Sequence, residues 1–225
     1  MSEETNWIDF DPSDKTPADR QFLLSQLVVP RPIAMISTIG EDGVLNIAPM
    51  SYFLPITGSP MLVGVTMGLR EDGEPKHTFL NASHTGDFVI NITTENLAED
   101  IEIVAIESPH SVNEYELANW TPSESEKIKS PGIAEARARL ECEIREVVKL
   151  GETGVPFGEV NFVIAEVVWA TYSEEILNER GRIDPLLLEP IGRLGLRSFI
   201  SAGEKAVFSL ERISWEQYQS GLNSD

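Results

Sequence analysis

Two apolar runs near the start of the chain, Arg31 to Thr38 (RPIAMIST) and Leu45 to Phe53 (LNIAPMSYF), flank the tight-turn sequence Gly40-Glu41-Asp42-Gly43. The pattern predicts two neighbouring strands. Within them sit short hydroxyl and amide side chains, Ser37, Thr38, Asn46 and Ser51, where a buried polar atom left unpaired costs about 1 to 3 kcal/mol. Something polar is therefore expected against these positions. The alternative is that Asn46 and Ser51 merely satisfy the backbone of a turn or bulge.

The same patterning carries along the chain. Thr16-Pro17-Ala18-Asp19 reads as a capping box opening a helix that turns Phe22, Leu23 and Leu27 inward and stops before Pro30-Arg31-Pro32. Strands are expected at Ile33 to Ile39, Val44 to Met50, Met61 to Met67 and Asp87 to Thr93, with a loop at Leu69 to Pro75 and a short helix at Thr78 to His84. Thr94 then caps a helix with Leu97, Ile101, Val104 and Ala105 on one stripe, and Glu107 to Pro131 reads as a polar surface excursion with a helical turn near Glu114 to Ala118. Arg139 to Leu150 alternates, with Leu140, Cys142, Ile144, Val148 and Leu150 on the dry face. Gly158 to Tyr172 is apolar enough for the middle of a closed sheet. The tail runs through Asp184 to Pro190, a Gly192 to Gly195 turn and a last strand near Ala206 to Leu210. Antiparallel strands with short turns and few helices point to a barrel with helical covers.

Charge narrows the partners. The 225 residues carry Lys+Arg 17 against Asp+Glu 37, a formal net charge of -20, and a field of that sign opposes nucleic acid and anionic membranes. Neither is expected as a partner. The chain begins with an acidic stretch and contains no apolar run long enough to span a bilayer, so a cytoplasmic protein is expected. The single cysteine, Cys142, lies on an alternating strand and reads as an inert buried thiol. His84 and His110 read as solvent-facing, and Trp7, Trp120, Trp169 and Trp215 as core or interface anchors. No metal is expected, and phosphate-loop, dinucleotide and nucleophile-elbow motifs are missing from the sequence.

One segment does suggest ligand chemistry. Lys76-His77-Thr78 opens a helix after a Gly- and Pro-bearing loop, and a helix N-terminus offers free amide donors and partial positive charge. Arg70, at the far end of that loop, is placed to close over the same anion. Local cations of this kind work despite the global charge, because charges beyond about 8 to 10 Å are screened at physiological salt.

Five ordered blocks resemble the flavin reductase-like family of FMN-binding split barrels: RPIAMISTIGEDGVLNIAPMSYF, GLREDGEPKHTFLNASHTGDFVINI, LANWTPSESEKIKSPGIAEARARLECEI, FGEVNFVIAEVV and RIDPLLLEPIGRLG. The resemblance runs from about Ala18 to Leu210. It implies one domain over residues 1–225: a mainly β, six-stranded antiparallel split β-barrel of Greek-key type with covering α-helices, forming a homodimer with FMN at the interface. It implies flavin contacts from Ser37, Thr38, Asn46, Ala48, Pro49, Ser51 and Phe53, and phosphate contacts from Lys76, His77 and Thr78, where His77 replaces the family's usual Asp. Arg193 falls in a family block near the flavin, whereas Arg31 is open between the dinucleotide or partner subunit and a surface salt bridge. The implied activity is an oxidoreductase: hydride passes from NAD(P)H to the flavin, and the electrons go on to a partner monooxygenase, free flavin or oxygen. No catalytic side chain is assigned, since the cofactor carries the chemistry. The rival readings are an FMN-binding, flavoredoxin-like electron carrier without efficient NAD(P)H oxidation, and a flavin-free module on the same barrel.

Overall fold

The computed structural model describes residues 6–208 except 156, 204 and 205. Seven strands make one antiparallel sheet: β1 (Ala34–Ile39), β2 (Leu45–Met50), β3 (Phe53–Gly58), β4 (Met61–Gly68), β5 (Asp87–Ile92), β6 (Ala138–Leu150) and β7 (Val160–Tyr172). Their spatial order is β2-β1-β5-β6-β7-β4-β3, and the sheet curls until β2 approaches β4. This is the mainly β, antiparallel barrel expected, with one strand more in the sheet than the expected six. The added strand is β3, whose Pro55 and Gly58 conceal it in the sequence; Pro is tolerated there because β3 lies at the sheet edge.

The turn between β1 and β2 forms as its residues dictate. Gly43 adopts φ 84°, a region closed to most side chains, its amide donates to Gly40 O at 3.0 Å, and Asp42 Oδ1 accepts from Val44 N at 3.1 Å. The resulting register sets Thr38 opposite Asn46 and Ser37 opposite Ile47.

Period-two alternation along β1 feeds two separate cores. Ala34 and Ile36 join Met50, Val65, Met67, Phe88, Ile90, Cys142, Val163 and Ala165 inside the barrel. Ile33 and Met35 turn the other way and pack with Ile47, Leu97, Ile101, Tyr115, Trp120 and Ile133. The segment 107–131 is thus not the surface excursion expected: Tyr115 and Trp120 cover the outer face of β1 and β2, and the Tyr115 hydroxyl donates to Pro131 O and Gly132 O at 3.1 and 3.0 Å. Cys142 is buried as expected, and burial pushes its thiol well above the ordinary range.

Other expectations are corrected. The capping box at Thr16 forms, with Thr16 Oγ1 accepting from Asp19 N at 3.2 Å, and opens α1 (Pro17–Leu27). Yet Phe22 and Leu27 of α1 are exposed in the single chain, together with Leu24. After Thr94 the chain makes a 3-10 helix, Glu95–Asp100, and the Thr94 hydroxyl donates to Asn96 Oδ1 and makes no cap; Ala105 is exposed while Leu97, Ile101 and Val104 are buried. Glu141, expected on the wet face of β6, is buried and accepts from Glu126 N and Lys127 N at 2.8 Å each, whereas Leu150 is exposed. The Gly192 to Gly195 turn is in fact a strand, Ile191–Leu194, which pairs with Arg31–Pro32 and with Ser198–Ser201. Residues 206–208 form no strand, and the rest of the expected strand near Ala206 to Leu210 lies outside the described residues, as does Trp215. Trp7 is exposed and Trp169 half exposed, with Lys127 Nζ 5.2 Å from its ring centre, so among the described tryptophans Trp120 alone is a core anchor.

Among the described residues Arg31 makes no surface salt bridge, one of its two expected roles. It is buried, and its guanidinium donates to Ser25 O at 2.5 Å, Val28 O at 3.1 Å and Gly195 O at 2.9 Å, pinning the end of α1 to the small sheet. The Tyr52 ring lies 5.5 Å from its carbon. Arg31→Met should lower the unfolding free energy by about 2 to 4 kcal/mol, since three carbonyls lose a charged donor. A urea melt unchanged within error would contradict this role.

Candidate functional site

The second helix, α2 (His77–Thr85), starts against the open end of β1 and β2 and stops at Gly86, which takes the left-handed φ of 80°. Lys76 occupies its N-cap position without making a side-chain cap, while Phe79 N and Leu80 N both return to Lys76 O. The His77 and Thr78 amides, first in the helix, are left without an intrahelical acceptor. They open on a cleft whose walls are Asn46 to Met50 of β2, Arg70, Lys76, Thr78, the segment Val104 to Ser108, Glu114 and Arg193.

Behind this cleft lies a buried polar network. Asn46 Oδ1 accepts from Thr78 Oγ1 at 2.8 Å and Thr38 Oγ1 at 3.3 Å, and Asn46 Nδ2 donates to Glu114 Oε2 at 3.1 Å. Asn81 Nδ2 donates to Thr38 Oγ1 at 3.2 Å. Glu114 also takes the Ser108 hydroxyl and, at 3.4 Å, the amide of Ile47. Its side chain is buried, and among the described residues no Lys or Arg nitrogen pairs with it. Three donors replace the missing cation. Thr38 and Asn46 thus find partners within the chain, in each other, Thr78, Asn81 and Glu114, where the expectation was that a ligand supplies them.

The Ile47 bond has a further effect on the exposed edge of β2. The N–H and C=O of one strand residue point to the same side, so Ile47 and Pro49 both turn their backbone away from β1. The Ile47 amide is taken by Glu114 and Pro49 has none. What this edge offers the cleft is carbonyl oxygen, a row of acceptors for an N–H donor.

Cations gather at the α2 end. Arg70 Nη1 lies 3.0 Å from His77 Nε2 and 3.4 Å from Ser108 O, and Arg70 Nε pairs with Asp72 at 3.4 Å. Lys76 Nζ pairs with Glu107 Oε1 at 3.1 Å. Arg193 packs its guanidinium over Phe199, with 5.2 Å to the ring centre, and lies 3.9 Å from Glu102. Since a guanidinium only donates, the His77 nitrogen facing it is the unprotonated one. Partial burial, then the charges of Arg70 and His110, hold the His77 ring below the ordinary 6.5. His110 is not simply solvent-facing: its ring meets that of His77 edge to face at 4.9 Å, its Nε2 lies 3.3 Å from Asn81 Oδ1 and its Nδ1 3.5 Å from Asp42.

The structure thus brings Asn46, Ala48, Pro49, Arg70, Lys76, His77, Thr78 and Arg193 to one cleft, with Thr38 directly behind it. It does not bring Ser37, Ser51 or Phe53 there. Ser37 points to the opposite face, donating to Pro131 O at 2.7 Å and accepting from Asn91 Nδ2 at 2.9 Å. Phe53 pairs with Val65 and packs against the barrel interior. Ser51 follows β2, half-buried and away from the cleft walls. Glu107, Ser108 and Glu114 went unrecognised because they sit in a segment whose overall polarity resembles a loop. The available signal was Asn113, whose side chain caps Tyr115 N at 3.1 Å and so fixes Glu114 in a first turn.

Residues 25–190 match the family model described as flavin reductase like domain. An uncharacterized protein of Halalkalibacterium halodurans is 36% identical across 84% of this chain and 89% of its own length. The chain belongs to the flavin reductase-like family. Among solved structures, nitrilotriacetate monooxygenase component B from Bacillus cereus is 34% identical, with a TM-score of 0.85 over 92% of this chain and 100% of that one. Flavoredoxin of Desulfovibrio vulgaris (Miyazaki F) shares the fold, with a TM-score of 0.71 at 18% identity over 93% of this chain and 100% of that one. The family's split barrel is therefore the fold of this chain.

Two measurements probe the cleft. The lowered pKa of His77 means that the unfolded chain takes up this proton first as pH falls through 6.5, so the ring contributes stability above that value and loses it below. An NMR titration of the ligand-free protein should give a His77 midpoint under 6.5; a midpoint at or above it would contradict the arrangement with Arg70. Glu114→Gln should destabilise the fold by about 1 to 3 kcal/mol, because an amide facing three donors leaves at least one of them unpaired. Equal urea midpoints for the variant and the parent would exclude that network.

Proposed function

We propose that this protein is an FMN-binding oxidoreductase that accepts hydride from NAD(P)H, a flavin reductase working in the cytoplasm as a homodimer. The observation that carries the reading is the convergence at one cleft of the free α2 amides with Arg70, Lys76 and Arg193, beside a strand edge of carbonyl acceptors. These residues fit the two ends of FMN. Lys76, Arg70 and the amides of His77 and Thr78 would hold the phosphate dianion. The carbonyls of Ile47 and Pro49 would accept from the single N–H of the pyrimidine edge, while Ala48 and Met50 supply apolar surface.

When bound, the flavin supplies the electron chemistry, accepting two electrons as hydride and passing them on. The chain's task is placement, which requires no acid–base pair. His77 stays neutral at the helix start, so the cleft's positive charge rests on Arg70, Lys76 and Arg193. Neutral His77 also spares the phosphate the repulsion that the family's usual Asp would bring.

The homodimer is supported by apolar surface that the single chain leaves uncovered: Phe22, Leu24 and Leu27 on α1, and Leu54, Ile56 and Met61 on β3 and β4. A partner monooxygenase is the electron acceptor suggested by the likeness to nitrilotriacetate monooxygenase component B.

Anaerobic mixing of the FMN-loaded protein with NADH or NADPH should bleach the flavin absorbance within the dead time to seconds. Bleaching that fails with both nucleotides but succeeds with dithionite would replace the reductase by an electron carrier. For the cofactor itself, Lys76→Ala should weaken FMN binding by about tenfold and riboflavin binding little, since only FMN carries the dianion. Equal losses for both ligands would remove Lys76 from the phosphate site.

A further inference from the structure

The phosphate end of the cleft already contains an anion of its own. Glu107 Oε1 takes the Lys76 ammonium at 3.1 Å, and Glu107 Oε2 accepts from Glu71 N at 3.1 Å. Both side chains line the cleft and are about one-third exposed, 30% for Lys76 and 29% for Glu107. The carboxylate stays ionised at neutral pH: burial raises its pKa, but the Glu71 amide and Lys76 outweigh that and lower it. Lys76 is therefore not a free cation waiting for a ligand.

We propose that Glu107 sets how strongly the cleft prefers a phosphorylated flavin over an unphosphorylated one, acting as an internal anion on Lys76 that an incoming phosphate must displace. The inference rests on the reading of Lys76 as a phosphate ligand. Displacement is local. The 69–75 hairpin is closed by its own bonds, with Arg70 N donating to Glu74 O at 2.8 Å, and it is tied to the Val104 to Ser108 segment a second time through Arg70 Nη1 and Ser108 O at 3.4 Å. Glu107 keeps its bond to Glu71 N while giving up Lys76. The site then binds riboflavin with the internal pair intact and binds FMN only by breaking it. A phosphate thus gains less from Lys76 than an unpaired ammonium would give, and it meets the Glu107 charge nearby.

Removing the Glu107 charge should strengthen FMN binding and leave riboflavin binding alone. In fluorescence titrations of the flavin-stripped full chain, Glu107→Gln should lower the Kd for FMN about two- to fivefold, the range expected for a partly exposed ion pair, with the riboflavin Kd unchanged. On a Lys76→Ala background the same substitution should no longer change the FMN-to-riboflavin ratio by this factor. Glu107→Ser is the second variant should the glutamine disturb folding. An FMN Kd that is unchanged or raised by both substitutions overturns the proposal and makes Glu107 a support for Lys76. If Lys76→Ala alone leaves the FMN-to-riboflavin ratio unaltered, the phosphate reading fails as well, so the two failures are separable.

Discussion

The cleft depends on the amide of Asn46. One side chain in β2 accepts hydroxyls from β1 and α2 and donates to a carboxylate from the segment after Ser108, so four parts of the chain meet at a single planar group. Each bond contributes a net of about 1 kcal/mol once exchange with water is counted, but breaking one inside a buried cluster leaves a desolvated partner as well. The network thus favours a single arrangement of helix start and strand edge. The amide's fixed plane assigns its oxygen to the hydroxyls and its nitrogen to Glu114, and from this follow the position of Glu114, the capture of the Ile47 amide and the purely accepting character of the β2 edge. A ligand groove needs that kind of rigidity, because its polar groups must be in place before the ligand arrives.

Much of the fold was legible where local chemistry and global packing agree. The Gly40 to Gly43 turn and the capping box at Thr16 each reflect a short-range rule, and the fold keeps them. The helix start at Lys76 to Thr78, which the structure places at the candidate cleft, was legible for the same reason, since a helix start announces itself in a few residues. What failed was the inference from polarity to partner. Thr38 and Asn46 look unsatisfied along the chain because their partners, Thr78, Asn81 and Glu114, lie far away in sequence. Ser37 misled for a related reason: strand alternation places it on the other side of the sheet from Thr38, towards Asn91 and Pro131. Segment 107–131 was misread because its apolar residues, Tyr115 and Trp120, are few and spaced without a period, although each buries a large ring.

The apolar face of α1 shows where a single chain ceases to be the right reference. Its phenylalanine and leucines keep helical spacing, so the expectation that they point inward was sound as patterning, yet the barrel interior is already filled by residues from the strands. Arg31 explains how the helix remains attached without burying that face. It binds the terminal carbonyls of α1 from below, a polar anchorage that leaves the apolar side free. Helix position and helix burial are thus supplied by different interactions.

The same separation governs the electrostatics. A chain with net charge -20 repels anions at long range, and it still gathers three cations, Arg70, Lys76 and Arg193, around one cleft. Screening makes this workable, because at physiological salt the distant carboxylates fade within about 8 to 10 Å while contacts in the cleft do not. The close carboxylates therefore matter far more than the total. Glu107 pairs with Lys76 and Asp72 with Arg70, whereas Glu114 accepts from Asn46, Ser108 and Ile47 and so does not compete for the positive charge. If the cleft holds a phosphate as proposed, the carboxylates in contact with its cations tune selectivity, while the remaining acidic surface sets solubility and the rate of encounter as a background.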